Sequence, residues 1–269
     1  MHGSTWLEAI LLGVVQGITE FLPISSSGHL VIVGELIRRV TGERPDPEAN
    51  LQLNIALHAG TLLSILWVYR ADVLGLRTRP WLCLAIVVAT LPAAAVGLTA
   101  KDSIEALFAT PLVAGACLWI TAGLLVAGQR CERGDKDLDG LSQGRALAVG
   151  AFQAVALLPG VSRSGSTIAG GLLMGLKREA ATAFSFLIAI PAIGGATVLM
   201  LRDALETGGT RTAPGVLAAG AATACLVGVL SLRILIRLVV ARKLHWFAWY
   251  CALAGTATVI WQLLDRPPS

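Results

Sequence analysis

Ten apolar stretches separated by short polar breaks run along this chain, and they sort by length. Six are long enough to cross about 30 Å of hydrocarbon as helices: 51–69, 81–99, 110–127, 182–201, 213–236 and 244–264. The other four, 6–22, 28–39, 146–158 and 165–176, are too short or too interrupted to span. They fall into two pairs, one hinged at Pro23 to Gly28 and the other at Pro159 to Gly165. Paired short segments broken by Pro and Gly, in matching positions of two halves, predict re-entrant hairpins that meet near the membrane midplane. None of the stretches shows the alternating, turn-punctuated pattern of a barrel, which leaves helices as the structure that satisfies the backbone in lipid.

The predicted fold is a single all-α integral membrane domain of two repeats, each a re-entrant helix hairpin followed by three transmembrane helices. Residues 1–129 form the first repeat, 130–145 a charged linker and 146–269 the second. A hairpin returns to the side it came from, and three spans then cross to the other side, so the second repeat must begin opposite the first. The expected repeat is therefore inverted. Under that topology 13 Lys/Arg lie on one side and seven on the other. The positive-inside bias makes the richer side cytoplasmic and puts both termini outside.

Composition agrees with a membrane solvent. Hydrophobic residues make up 55% of the chain and charged residues 14%, with a mean hydropathy of +0.73; soluble domains carry about 25% charged residues. The first segment lacks the order of a removable signal peptide, so the N-terminus is expected in the mature protein. A net charge of +4 is too modest to suggest a nucleic-acid partner. Five scattered cysteines give no metal or disulfide spacing. The aspartates of Arg130–Gly140 lack the glycine and glutamate placement of a calcium loop and read as a solvated linker.

The hinges carry the candidate chemistry because they repeat. Gly13-Val-Val-Gln-Gly-Ile-Thr-Glu-Phe-Leu-Pro-Ile-Ser-Ser-Ser-Gly-His29 aligns without a gap with Gly150-Ala-Phe-Gln-Ala-Val-Ala-Leu-Leu-Pro-Gly-Val-Ser-Arg-Ser-Gly-Ser166. The copies share Gln16/Gln153, Ser25/Ser162, Ser27/Ser164 and Gly28/Gly165, but Glu20 aligns with Leu157, Ser26 with Arg163 and His29 with Ser166. Gln16 and Glu20 lie one helical turn apart on one face. A carboxylate in an apolar segment is costly; Glu20 is either a general acid/base or metal ligand, or a structural acid bonded to serines. Ser25, Ser26 and Ser27 precede a helix start, where free N–H groups and positive potential favour phosphate oxygens. His29 is either a titrating group near neutral pH or a structural hydrogen-bond partner. Arg163 needs an anion, either Glu20 or substrate phosphate. Ser162, Ser164, Gly165, Ser166 and Thr167 build the second helix-start nest. Together the two nests describe a site for a charged phosphate group attached to a lipid.

These residues resemble a known family, the undecaprenyl-diphosphate phosphatases of the BacA/UppP type, linked to bacitracin resistance. The resemblance covers essentially the whole chain and rests on Gln16 to His29 and Pro159 to Thr167. It implies hydrolysis of undecaprenyl diphosphate and related isoprenyl diphosphates to the monophosphate that cell-wall synthesis reuses. It also implies a divalent cation, Mg2+ or Ca2+, and a site opening to the outer face of the bacterial cytoplasmic (inner) membrane. Carried over, the essential glutamate falls on Glu20, the serine nucleophile on Ser26, the histidine on His29 and the phosphate-clamping arginine on Arg163, with supporting hydroxyls at Ser162 and Thr167. The family often has a glutamate where this chain has Gln16. An amide does not exchange protons as a carboxyl does, which weakens a metal or base role at Gln16 and leaves that work to Glu20. Ser26 is expected to attack the terminal phosphorus, with Glu20 and His29 sharing proton transfer and positioning. The competing reading is a secondary transporter or flippase, which would need the anion clamp but not the serine, histidine and glutamate. A non-catalytic scaffold would leave the polar tips without a purpose. A homodimer is compatible with the sequence.

Overall fold

The computed structural model describes residues 6–41, 51–108, 110–130, 134–207 and 212–264. In order the helices are α1 (Trp6–Thr19), α2 (Ser26–Thr41), α3 (Leu51–Val68), α4 (Arg70–Gly75), α5 (Pro80–Thr99), α6 (Lys101–Phe108), α7 (Pro111–Arg130), α8 (Gln143–Val155), α9 (Arg163–Leu173), α10 (Arg178–Thr207), α11 (Pro214–Val240) and α12 (Leu244–Leu264). Residues 42–50 lie outside the described residues, as do Cys131, Arg133, Arg211, Arg266 and the side chains of Arg38 and Arg39.

Six helices, α3, α5, α7, α10, α11 and α12, are long and apolar enough to cross a membrane. The four short segments are α1, α2, α8 and α9. The chain is thus an all-α multi-pass membrane protein. Proline at the first position starts α5, α7 and α11, where its missing N–H has no helical partner to lose. Pro92 and Pro191 lie inside α5 and α10; neighbouring helices let membrane spans tolerate such breaks. Charged residues end an apolar run without ending the helix, so α10 starts at Arg178 rather than 182 and α11 runs to Val240 rather than 236. Arg178 keeps its place by donating from Nη1 to Val239 O at 2.6 Å. The short helices α4 and α6 fill stretches that hydropathy alone leaves as loops.

Packing follows the sequence repeat. Helix α1 packs on α11, and its counterpart α8 packs on α5, the counterpart of α11. Helices α7 and α12, and likewise α3 and α10, pair with their own counterparts. Such reciprocal contacts are what a two-fold relation produces. Glycine permits the closest approach in both places: a Cβ on Gly13 would meet Gly220 O, and one on Gly150 would meet Ala89 O. Small residues at helix crossings bring backbones into van der Waals contact, the main source of association where lipid removes the hydrophobic drive.

The halves are not equivalent in depth. Every residue of α9 from Ser164 to Leu172 is buried, and the helix packs on α10, whereas Leu30 on α2 is exposed. The linker also does more than float: Lys136 N donates to Gly175 O, Lys177 N donates to Lys136 O, and Lys177 Nζ sits 2.8 Å from Asp137. The Asp137 carboxylate raises the Lys177 pKa. Ser142 then caps α8 at Gln143, three residues before the expected start.

Candidate active site

Helix α1 stops at Thr19, and Pro23 prevents a simple continuation. The chain turns through Glu20 to Ile24 and restarts at Ser26 with Ser25 as cap. Ser25 Oγ accepts from Gly28 N at 3.2 Å and lies 3.3 Å from Ser27 Oγ. In the second hairpin Ser162 Oγ accepts from Gly165 N at 3.1 Å and lies 3.2 Å from Ser164 Oγ. The two caps repeat atom for atom. Their glycines meet the opposite tip reciprocally: Gly28 packs on Gly160, while Gly165 packs on Pro23, the residue aligned with Gly160. The helix starts therefore face each other across the pseudo-two-fold.

One difference in sequence moves the backbone strain. Gly160 adopts φ +96°, which glycine accepts at little cost. Pro23 cannot take that conformation because its ring fixes φ near −65°. In the first hairpin the left-handed residue is instead Ser25, at φ +67°, a conformation unfavourable by about 1–2 kcal/mol for a residue with a Cβ. Its cap bond to Gly28 and the bond from His29 Nδ1 to Ser25 O, 2.7 Å, hold it there.

Between the tips lies a cavity of about 120 Å³ lined by Thr19, Glu20, Ser25, Ser26, Ser27 and Ser162, with Arg163 closing it. That is roughly four water volumes, a space on the scale of a phosphate group rather than of a lipid chain. Arg163 Nη2 donates to Glu20 Oε1 at 2.7 Å, and Gln16 Nε2 donates to Glu20 Oε2 at 3.2 Å. The guanidinium lies over the ring of Phe186, with Cζ 5.8 Å from the centroid. Its Nη1 is buried without a hydrogen-bond partner among the described residues. Of the three serines in the first tip, Ser26 has no side-chain hydrogen bond among the described residues, which leaves its hydroxyl uncommitted at the cavity wall.

The structure brings Glu20, Ser25, Ser26, Ser27, Ser162 and Arg163 together, with Gln16 behind Glu20. It sets the other sequence candidates apart from the cavity wall. His29 has both ring nitrogens engaged, Nδ1 on Ser25 O and Nε2 on Tyr250 Oη at 2.6 Å, and its ring stacks on Tyr250. A carbonyl can only accept, so Nδ1 carries a proton, and in the neutral imidazole Nε2 accepts from the tyrosine. Thr167 binds Arg163 O and the Ser185 hydroxyl. Ser164 is tied to Ser162, Gly165 donates its N–H to the cap, and Ser166 is buried with its hydroxyl unpaired among the described residues.

Three residues that sequence reasoning did not single out hold these parts in place. Thr121 of α7 donates to Gly160 O at 2.8 Å and accepts from Ser162 N at 2.9 Å, pinning the second tip by both sides. Tyr250 of α12 orients His29, and Phe186 supports Arg163. Thr121 and Tyr250 sit as single polar residues inside apolar spans, a signal too common in membrane helices to select them.

Fold and site together define a polytopic helical membrane protein with a small polar cavity, lined by serines, a glutamate and an arginine, between two broken-helix tips. The family model for bacitracin resistance protein BacA matches residues 9–257, and the chain belongs to that family. It is 48% identical to an undecaprenyl-diphosphatase of Rhodopirellula baltica, over 96% of this chain and 98% of that protein. An undecaprenyl-diphosphatase of Alkaliphilus metalliredigens is 39% identical, over 97% of this chain and 100% of that protein. One of Desulfatibacillum aliphaticivorans is 38% identical, over 95% and 98%.

Proposed function

We infer that this chain hydrolyses undecaprenyl diphosphate to undecaprenyl phosphate and inorganic phosphate, returning the lipid carrier to cell-wall synthesis and lowering sensitivity to bacitracin. The observation that carries the reading is Arg163. One of its terminal nitrogens is spent on Glu20, and the other, Nη1, is buried with no hydrogen-bond partner among the described residues. A guanidinium with an unused donor inside an apolar protein calls for an anion, and its planar fork suits phosphate.

Ser26 Oγ attacks the terminal phosphorus, the bond to the bridging oxygen breaks, and the lipid monophosphate leaves. Glu20, which shares the cavity with Ser26, takes the serine proton. Water then cleaves the phosphoserine and releases inorganic phosphate. Arg163 and the N–H groups of the two helix starts balance charge on the transferred group, where most of the catalysis of phosphoryl transfer lies. Through Ser25 O, His29 holds the strained first tip in shape.

A divalent cation fits this site in one way. Among the described residues Glu20 is the only carboxylate lining the cavity, and they hold no cluster of three acidic, histidine or cysteine side chains. Mg2+ commonly binds through one or two carboxylates plus substrate phosphates, so Glu20 would hold Mg2+ or Ca2+ brought with the diphosphate. The cation would neutralise phosphate charge there. The excess of basic residues on one side supports both termini outside, and the family resemblance implies a bacterial cytoplasmic membrane and a site opening outward.

The test is inorganic phosphate release from a long-chain isoprenyl diphosphate by the purified protein in detergent, with and without cation. Arg163→Ala and Ser26→Ala are expected to abolish release while the helical circular-dichroism signal persists. Terminally labelled substrate should label the wild-type protein transiently and leave Ser26→Ala unlabelled. Full release by Arg163→Ala would sink the reading of the cavity; release by Ser26→Ala would move the attack to water.

A further inference from the structure

A second cavity lies apart from the hairpin tips and shares no residue with the first. Helices α7 and α12 pack together, yet a groove of about 570 Å³ opens between them. Its walls are small and apolar, including Gly123, Ala127, Ala248 and Ala252, with Trp249 along one side. One end is polar: Gln129, Arg130 and His245. Both helices are membrane spans, so an apolar occupant of this groove comes from the lipid phase.

The polar end is wired to present donors. The His245 backbone N–H, which can only donate, goes to Gln129 Oε1 at 2.8 Å. That fixes the amide so that Gln129 Nε2 faces His245 Nδ1 at 3.0 Å. The amide nitrogen can only donate, so Nδ1 accepts and the ring proton of the neutral imidazole sits on Nε2. His245 therefore offers a ring N–H in a groove that Arg130 also lines. Lys243 adds a second positive charge at this end, its Nζ 4.6 Å from the ring centre of Trp246. Trp246 is itself exposed, as tryptophans are at the headgroup level. The arrangement is complementary to a molecule with an anionic head and an apolar chain, and basic pockets between spans bind anionic lipid headgroups.

We propose that this groove binds an anionic phospholipid, with the phosphate at Arg130 and His245 Nε2 and one acyl chain lying between α7 and α12 toward Ala252. The site rests on the chain being membrane-spanning and not on the chemistry of Ser26. Gly123 makes it testable without disturbing the helix pair, because a Cβ there meets no atom within 4 Å. A leucine at 123 would project into space otherwise available to the lipid.

The experiment is tryptophan quenching in the purified full-length protein, titrated with phosphatidylglycerol or phosphatidylcholine carrying the same brominated chains. Phosphatidylglycerol is expected to quench a saturable component at about tenfold lower mole fraction. Trp249→Phe should remove that component, Gly123→Leu should block it for both lipids, and Arg130→Gln should erase the headgroup preference. Phosphate release by the Gly123→Leu and Arg130→Gln proteins checks that they are folded. If either fails that check, the comparison of the two lipids on the unmodified protein still decides. Equal quenching by both lipids, or a preference that survives Arg130→Gln in folded protein, overturns the proposal. So does displacement of the brominated phosphatidylglycerol by a tenfold lower fraction of long-chain isoprenyl monophosphate, since the groove would then belong to the reaction product. Absence of any headgroup preference in the unmodified protein, with its phosphate release intact, would count against this groove alone and leave the catalytic reading standing.

Discussion

The two hairpin tips are the same device built to different tolerances. Both cap a helix with a serine, both place a second serine hydroxyl beside the first, and each glycine packs on the opposite tip. The second tip is deeply buried and pinned by Thr121, and its left-handed turn falls on glycine. The first tip is more open, strains a serine and borrows support from a surface tyrosine. In the proposed mechanism the more buried tip presents the fixed charge of Arg163, while the more open tip presents the hydroxyl and carboxylate that exchange atoms or protons. Duplication supplied one shape, and the substitutions at positions 20, 26 and 29 against 157, 163 and 166 divided the work.

The sharpest way to break that division is at Arg163. If the second tip supplies charge alone, Arg163→Lys should keep the charge and still fail, because one ammonium cannot span both Glu20 and a phosphate as the fork does. We expect kcat/KM to fall about 100- to 1,000-fold, the cost of losing one oriented donor at a developing charge. Near-normal turnover by Arg163→Lys in the phosphate-release assay would show that charge suffices.

The reciprocal glycines test whether the tips must touch. A methyl on Gly28 would lie 2.7 Å from Gly160 Cα, where only backbone can yield. On Gly165 the nearest atoms are Pro23 Cβ and Ser162 Cβ at 3.2 Å, a contact that a small shift relieves. Gly28→Ala should therefore destabilise by the 1–3 kcal/mol typical of overpacking, and Gly165→Ala by clearly less. Thermal unfolding in detergent reads the difference, and equal shifts would mean that the tips part easily.

Thr121→Val tests the rigidity of the second tip. The change preserves shape but leaves Gly160 O and Ser162 N without their partner, each buried group costing about 1–3 kcal/mol. Stability should fall by about 2 kcal/mol after relaxation, with phosphate release reduced through a displaced Arg163. An unchanged melting temperature would remove Thr121 from this account.

Much of this asymmetry was legible before any coordinates. Hydropathy placed six spans and four short helices, because burial in lipid leaves a length signature. The gapless repeat paired the two tips, and the cost of isolated charge tied Arg163 to Glu20 or a phosphate; the structure gives it one and leaves a donor for the other. What stayed hidden was the choice of partner among many hydroxyls. Ser25, Ser162 and Thr167 look alike in sequence, yet two are caps at the cavity and the third is bonded to Ser185. The pairing of His29 with Tyr250 joins positions 221 residues apart, and Thr121 reaches the second tip from an apolar span. Periodicity reports which face is buried and not which atom lies opposite. The ends of α10 and the short helices α4 and α6 escaped for a related reason, since hydropathy stops at a charge where hydrogen bonding does not.

The smallest expected effect concerns Tyr250, and it separates two roles for His29. The tyrosine donates to His29 Nε2, while Nδ1 is spent on Ser25 O. Tyr250→Phe keeps the stacked ring and frees Nε2, at a cost near the 0.5–1.5 kcal/mol of one hydrogen bond. If His29 only braces the first tip, the bond to Ser25 persists and phosphate release should drop by no more than about tenfold, with the shape of its pH profile unchanged. If His29 instead exchanges a proton during turnover, releasing Nε2 alters the ionisation it contributes, and the profile between pH 5 and 8 must move, since imidazole titrates there. A shifted profile would return His29 to the reaction itself and place the proton transfer, like the backbone strain, in the first tip.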